Sequence, residues 1–407
     1  MHEGALPPPA SLRVIISDRA LRALMLVVFV IMLGFGIIAP ILPLFARSFG
    51  VSYGAAGLLV SAFAFTRLGF DLVAGPIVDR WGEQRASVAA LLFVAASSFA
   101  TALAPNFPTA VVLRAAGGAG SAVLFAALYS YLLKIVPAER MARASGLFYG
   151  AFNVGIIAGG PLGGVIAGQF GLRAPLYFYA GVLIVSAACF KRFVPDPARA
   201  ARQEPDGVSS RDRFRAVLRD PALMRIAVMN FAYLLMIVSV YDTLMPLFAR
   251  DHLHMSPTVI GGVFAVALTT ELLLMYPAGA AADRVGRKPV GLATFAWLIV
   301  IISLIGLTNS RPLFFVVMAL VGTATGSSSV VPTAMLGDVA AKASSGTAVA
   351  VFRFAGDLGM TIGPLVVGFA TNAFGFKAAF PIAVVPCFIA LVMMVSMPET
   401  LQRGLRN

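Results

Sequence analysis

Residues 75–82 read GPIVDRWG and residues 279–286 read GAAADRVG. Gly, Asp, Arg and Gly recur at one spacing, 204 positions apart. The match extends outward. LPLFAR at 42–47 answers MPLFAR at 245–250, offset by 203. Gly118 answers Gly322, and Gly155, Gly159 and Gly164 answer Gly359, Gly363 and Gly368. FGLRA at 170–174 answers FGFKA at 374–378. A self-match sustained over so much chain marks a duplication.

The repeated segments lie among long apolar runs. The 407-residue chain is 59% hydrophobic and 12% charged, with a mean hydropathy of +0.90. Soluble domains carry roughly 25% charged residues. Runs of about 18 or more apolar residues read as membrane spans. Twelve occur, near 21–45, 54–78, 86–104, 109–133, 143–168, 174–193, 223–248, 258–280, 288–307, 312–334, 345–371 and 376–397. The roughly ten-residue alternating segments of a β-barrel are absent. The expected fold class is therefore an all-α membrane protein of twelve transmembrane helices in two six-helix repeats. An even number of spans per repeat gives both copies the same orientation, related by an axis along the membrane normal. The expected units are a first bundle over 1–193, a central loop over 194–222 and a second bundle over 223–407. Within the loop, PDPARAARQEPDG reads as a polar tether and RDRFRAVLRD as an amphipathic surface helix.

The formal charge of +13 invites a nucleic-acid reading, but its distribution opposes one. With the N-terminus placed in the cytoplasm, 23 of the 31 Lys and Arg fall in cytoplasmic segments and five in external loops. This positive-inside bias puts both termini in the cytoplasm and makes the excess charge a matter of topology. Cys189 and Cys387 fall within spans and read as packing residues. The three histidines, His2, His252 and His254, lie outside the spans. No phosphate loop, metal-ligand cluster or nucleophile motif occurs, so neither an enzyme, a cofactor nor ATP-driven chemistry is expected.

The two six-span halves, the central loop and the GxxxDRxG repeats resemble the major facilitator superfamily. The first loop motif is Gly75, Asp79, Arg80 and Gly82; its twin is Gly279, Asp283, Arg284, Gly286 and Arg287. In the first copy Glu83 and Gln84 stand where a basic pair is usual. GFGIIAPILP at 34–43, Arg114 with Gly118, and the glycine run Gly146, Gly155, Gly159, Gly163, Gly164 are similar to motifs of the twelve-span drug:proton antiporters. Pro161 sits one place later than in that antiporter motif. The resemblance implies that the loops latch one conformation, that Arg114 is tied to proton coupling, and that spans 1, 4, 7 and 10 line a substrate cavity. Those spans offer Phe35, Phe125, Tyr129, Tyr233 and Tyr241, with Phe231, Met32 and Met236. Aromatic and methionine walls suit a lipophilic, cationic ligand.

Seven ionisable residues lie inside spans: Arg67, Asp71, Arg114, Asp242, Glu271, Arg353 and Asp357. Each costs roughly 2.5–3.5 kcal/mol at mid-bilayer, so a role is expected of them. Unlike the scaffold glycines, they do not recur: Arg67 maps onto Glu271, Asp357 onto Asn153, Asp242 onto Ala39 and Arg114 onto Met318. With no histidine in the spans, a carboxylate must carry any proton. Glu271 is the first candidate, Asp242 the second, with Arg114 as their charge partner. RLGFD (67–71) and RFAGD (353–357) place Arg and Asp four apart on one face of spans 2 and 11. Counting from the inner ends matches Arg67 with Asp357 and Asp71 with Arg353 in depth, which predicts a four-charge gate between the halves.

The expected function is a secondary active exporter of small amphipathic molecules, exchanging them for protons by alternating access. A sugar or metabolite exporter and a non-transporting sensor are the alternatives. The expected partners are the substrate, protons and the lipid bilayer, without nucleic acid. The chain is expected to act as a monomer in the cell inner (plasma) membrane.

Overall fold

The computed structural model describes residues 19–136, 140–194, 210–340 and 345–401. Among these, twelve helices are long and apolar enough to cross a membrane. In the first half they are Ala20–Arg47, Tyr53–Trp81, Glu83–Leu103, Phe107–Ile135, Ala144–Phe170 and Ala174–Phe193. In the second half they are Pro221–Asp251, Pro257–Val285, Arg287–Ile305, Arg311–Ala340, Thr347–Phe374 and Phe376–Val395. We number them spans 1 to 12. The largest departure from the sequence-based limits is at the end of span 10, which runs on past Pro332 to Ala340. Membrane helices tolerate such prolines because neighbouring groups satisfy the freed carbonyls. Large apolar side chains on the outward faces, such as Phe65, Leu72, Tyr276 and Phe369, are exposed as a lipid-facing surface requires.

The repeat is visible in the packing. Gly118 of span 4 presses on the Phe63 carbonyl of span 2, and Gly322 of span 10 presses on the Ala267 carbonyl of span 8. Both pairs keep the 204-residue offset. In span 7 the offset slips. Gly159 meets Leu33 of span 1 and Gly363 meets Leu235 of span 7, which are 202 apart, whereas LPLFAR and MPLFAR are 203 apart. One extra residue therefore lies between Leu235 and Met245. A π turn, Val240–Leu244, occupies that stretch and absorbs it. Span 1 instead breaks into a turn at 39–41 before the short helix Leu42–Arg47.

The halves meet through span 2 against span 11 and span 5 against span 8. At the end away from the repeated loops they are tied. The Tyr53 N–H donates to Asn372 Oδ1 at 3.0 Å and the Tyr53 hydroxyl donates to Asp251 Oδ2 at 2.9 Å. Arg47 lies 3.8 Å from Asp251 and stacks over Tyr53. Towards the basic end, which bears the loops, Gly75, Gly146, Gly150 and Gly279 have open space before them. The two halves are thus tied at the end away from the loops. The amphipathic segment forms a helix, Ser210–Arg219, against spans 7 and 11 with Val217 buried. The tether read at 195–207 lies outside the described residues.

Candidate functional site

Three groups of polar residues stand out inside an apolar bundle. The first is at the basic end. Gly82 and Gly286 separate consecutive spans with φ of 81° and 130°, conformations that favour glycine. In the second half Arg287 Nη1 lies 2.5 Å from Asp283 Oδ1 and its Nε donates to Asp338 Oδ2 at 3.1 Å. In the first half Glu83, only 2% exposed, lies 2.6 Å from Lys134 and accepts from Ser130 Oγ at 2.8 Å. Glu83 and Arg287, like Lys134 and Asp338, are 204 apart. The same tie is thus built with its charges reversed. Gln84 donates to the Val194 and Lys191 carbonyls, and Lys288 donates to the Val395 carbonyl, again at equivalent places. The first loop, which lacks the basic pair, keeps its contacts. Asp79, Arg80, Asp283 and Arg284 lie exposed at the ends of spans 2 and 8. Glu399 accepts from the N–H groups of Arg287 and Lys288, capping span 9. Burial alone would raise the Glu399 carboxyl, but these donors and Leu401 N–H outweigh it and hold it below its usual range.

The second group is the predicted gate. Arg67 Nη2 lies 3.5 Å from Asp357 Oδ1, across the halves, with the side chains 19% and 11% exposed. The Arg67 guanidinium also lies 4.8 Å over Phe125. Asp71 and Arg353 are exposed and, among the described residues, form no ion pair within 4.0 Å in this conformation; Arg353 instead lies 5.9 Å from the Tyr129 ring. Neither pair within a helix, Arg67 with Asp71 or Arg353 with Asp357, comes within that distance. Two aromatics expected to line a cavity, Phe125 and Tyr129, therefore lie against Arg67 and Arg353.

The third group surrounds Glu271, half-buried on span 8. Thr325 Oγ1 of span 10 donates to Glu271 Oε2 at 2.8 Å. The Tyr241 hydroxyl lies 3.2 Å from Thr325 Oγ1, and the Tyr233 hydroxyl donates to the Thr325 carbonyl at 3.1 Å. Tyr233 and Tyr241, expected on a cavity wall, are buried at 7% and 2% exposed and hold this network in this conformation. Spans 8 and 10 come close enough here for Gly326 to press on the Glu271 backbone. Arg67 occupies the corresponding place in the first half, with the opposite charge.

The remaining candidates are dispersed. Arg114 is 3% exposed and lies 4.1 Å over Phe63, with Nε and Nη1 unpaired. Asp242, half-buried, sits in the π turn within electrostatic reach of Arg114 but without an ion pair. Glu271 joins neither. Of the glycine run, Gly155, Gly159 and Gly163 pack on span 1, Gly164 packs on Gly261 of span 8, and a Cβ at Gly146 would meet open space. Pro161 lies inside span 5 without ending it. Phe35 is half-buried. Sequence reasoning passed over Thr325, Lys134, Asp338, Tyr53, Asp251 and Asn372. Lys134 and Asp338 were within reach of the 204-residue offset, and Thr325 lies in the polar run TATGSSS of span 10.

The sequence model of the Major Facilitator Superfamily matches residues 24–255 and again 235–405, nearly the whole described chain. The chain belongs to the major facilitator superfamily. Its twelve candidate spans make it a multi-pass membrane protein. It is 28% identical over 270 residues to Multidrug resistance protein 2 of Bacillus subtilis, covering 64% of this chain and 66% of that one. It is 25% identical over 248 residues to the quinolone resistance protein NorA of Staphylococcus aureus, covering 58% and 62%. The match thus spans just under two thirds of these relatives. In solved structures, the nucleoside transporter NupG superposes with a TM-score of 0.76 at 13% identity, covering 93% of this chain and 99% of that one. A bacterial homologue of the human lysosomal transporter Spinster, in an inward-facing and occupied conformation, gives 0.75 at 16%, covering 92% and 95%. At these identities the superpositions establish the fold alone.

Proposed function

We propose that this transporter exports small amphipathic, drug-like molecules and takes up protons in exchange, with Glu271 carrying the proton. The observation that carries this reading is the setting of Glu271. It lies far from either end of span 8, its partners are neutral hydroxyls, and among the described residues no cation lies within ion-pairing distance of it. A permanently charged carboxylate is costly there, so it exchanges a proton as its access to water alternates. The relatives by sequence include a multidrug resistance protein and a quinolone resistance protein, which supports a drug-like substrate. The aromatic rings of Phe125, Phe152 and Tyr129 near the two gate arginines support a flat, lipophilic one.

The Arg67–Asp357 pair holds the halves together in the conformation closed at the tied end, and Asp71 meets Arg353 when the basic end closes. The basic loops face the cytoplasm, so this conformation opens inward. The transporter works as a monomer in the cell inner membrane with both termini cytoplasmic. The test is accumulation of ethidium in cells expressing the protein, with and without a protonophore. Expression should lower accumulation severalfold, and the protonophore should abolish the difference. Unchanged extrusion with the proton gradient collapsed would refute the coupling.

A further inference from the structure

The Glu271 carboxyl accepts from the Thr325 hydroxyl, with the Tyr241 hydroxyl beside it, and the Thr325 hydroxyl has a second acceptor. Thr325, fully buried, donates from Oγ1 to Glu271 Oε2 at 2.8 Å, yet the Gly322 carbonyl of its own helix lies 3.2 Å from the same oxygen. A threonine hydroxyl carries one donor and two acceptor positions. We propose that Thr325 is the positioning residue of the proton site, a hydroxyl that turns between Glu271 and the Gly322 carbonyl as the carboxyl loses and gains its proton. This inference rests on the reading of Glu271 as the proton carrier.

The hydrogen bonds balance in both states. With Glu271 ionised, Thr325 O–H donates to the carboxylate and the Tyr241 O–H donates to Thr325 Oγ1. When Glu271 takes up a proton, its new O–H donates to Thr325 Oγ1. The threonine hydrogen then turns to the Gly322 carbonyl, and the two lone pairs accept from Glu271 and Tyr241. No bond but the carboxyl O–H forms or breaks, and no buried group is left without a partner in either state. An orphaned polar group in a dry interior is what makes such a site expensive. The groups facing the carboxyl are Tyr241 of span 7 and Thr325 of span 10. Tyr233 stands behind them, held to the Thr325 carbonyl, and none is charged at neutral pH. The packing fixes Thr325 in place. Gly326 lets span 10 approach the Glu271 backbone, and Thr270 Oγ1 donates to the Ala319 carbonyl at 2.9 Å, locking spans 8 and 10 in register. Tyr241 lies in the π turn, so the state of the carboxyl is read by the same segment of span 7 that holds Asp242.

The test uses the full chain, purified, and does not need the physiological substrate. Infrared difference spectra across a pH titration should show a protonated-carboxyl C=O band that Glu271→Gln removes. In Thr325→Val, which keeps shape and loses the hydroxyl, that band should change frequency and its pH midpoint should move by about one unit. Thr325→Ser should restore both. In proteoliposomes with an imposed pH gradient, Thr325→Val should lower uphill ethidium transport roughly tenfold while Thr325→Ser stays near the parent. If the valine variant does not fold, Thr325→Ala keeps the question open to measurement, because it also removes the hydroxyl. A band and midpoint unaltered in Thr325→Val, or in Thr325→Ala where valine fails, would overturn the proposal. Concentrative transport by Glu271→Gln would instead overturn the reading beneath it.

Discussion

Arg67 and Asp357 show what two charges do inside an apolar helix. They face one another across the two halves at 3.5 Å, largely shielded, with Phe125 against the guanidinium. Removing one partner of such a pair leaves the other charge orphaned and typically costs 3–5 kcal/mol. Asp357→Arg should therefore abolish export, and adding Arg67→Asp should recover part of it, though not the stacking on Phe125. A dye-extrusion assay on matched expression levels checks this, and a double variant no better than the single one would remove the pair from the gate. The depth match of Arg67 with Asp357 was legible by counting residues along two antiparallel helices. The state of Asp71 and Arg353 was not, because counting along each helix gives depth and says nothing of how far apart two helices lie. Thr325 was illegible for another reason. Threonines are ordinary in membrane helices, and only the place of its hydroxyl between Glu271, Tyr241 and Gly322 sets it apart.

Elements at the basic end are tied by complementary charges rather than by conserved ones. Glu83 with Lys134 and Arg287 with Asp338 join the start of one span to the end of the next at equivalent places. Comparing the copies by identity shows Glu83 as a departure from the basic pattern. A salt bridge, however, needs only opposite signs, so reversing both partners leaves it intact. Glu83→Arg should destabilise the first half by roughly 3 kcal/mol, and adding Lys134→Asp should regain most of that, measured by thermal unfolding in detergent. The cap on span 9 makes a second prediction. A carboxylate held below its unfolded value contributes stability that is complete above about pH 4.3 and is lost as the pH falls through the lowered folded value. Glu399→Gln should thus lower the melting temperature at pH 7, and the gap from the parent should narrow as the pH is taken below about 4. A gap independent of pH would mean that the charge of the carboxylate is not what stabilises the cap. The π turn of span 7 was not legible: the change of offset in the sequence, from 203 to 204, falls after Arg250, and the slip that the turn absorbs shows only in the packing of Gly363 on Leu235.

At the scale of the whole molecule, twelve spans, the duplication and the family follow from apolar run length and the loop repeat, because bilayer thickness and the positive-inside bias act on sequence directly. The conformation does not follow, since one sequence must be compatible with at least two. Tyr53, Asp251 and Asn372 close one end here. Gly54 lies against Phe369 at that end, 2.9 Å from where a Cβ would stand. A disulfide between Gly54→Cys and Phe369→Cys should arrest transport and release it on reduction. Free turnover with the bond formed would show that the ends do not alternate. The central claim is that Glu271 couples protons to export, and proteoliposomes with a pH-sensitive dye inside and an ethidium gradient outside test it most directly. The parent protein should move ethidium uphill when protons flow down, with proton movement dependent on ethidium. Glu271→Gln should still bind ethidium and carry it downhill, with neither uphill transport nor ethidium-dependent proton flux. Concentrative transport by Glu271→Gln at the parent's rate would contradict the account.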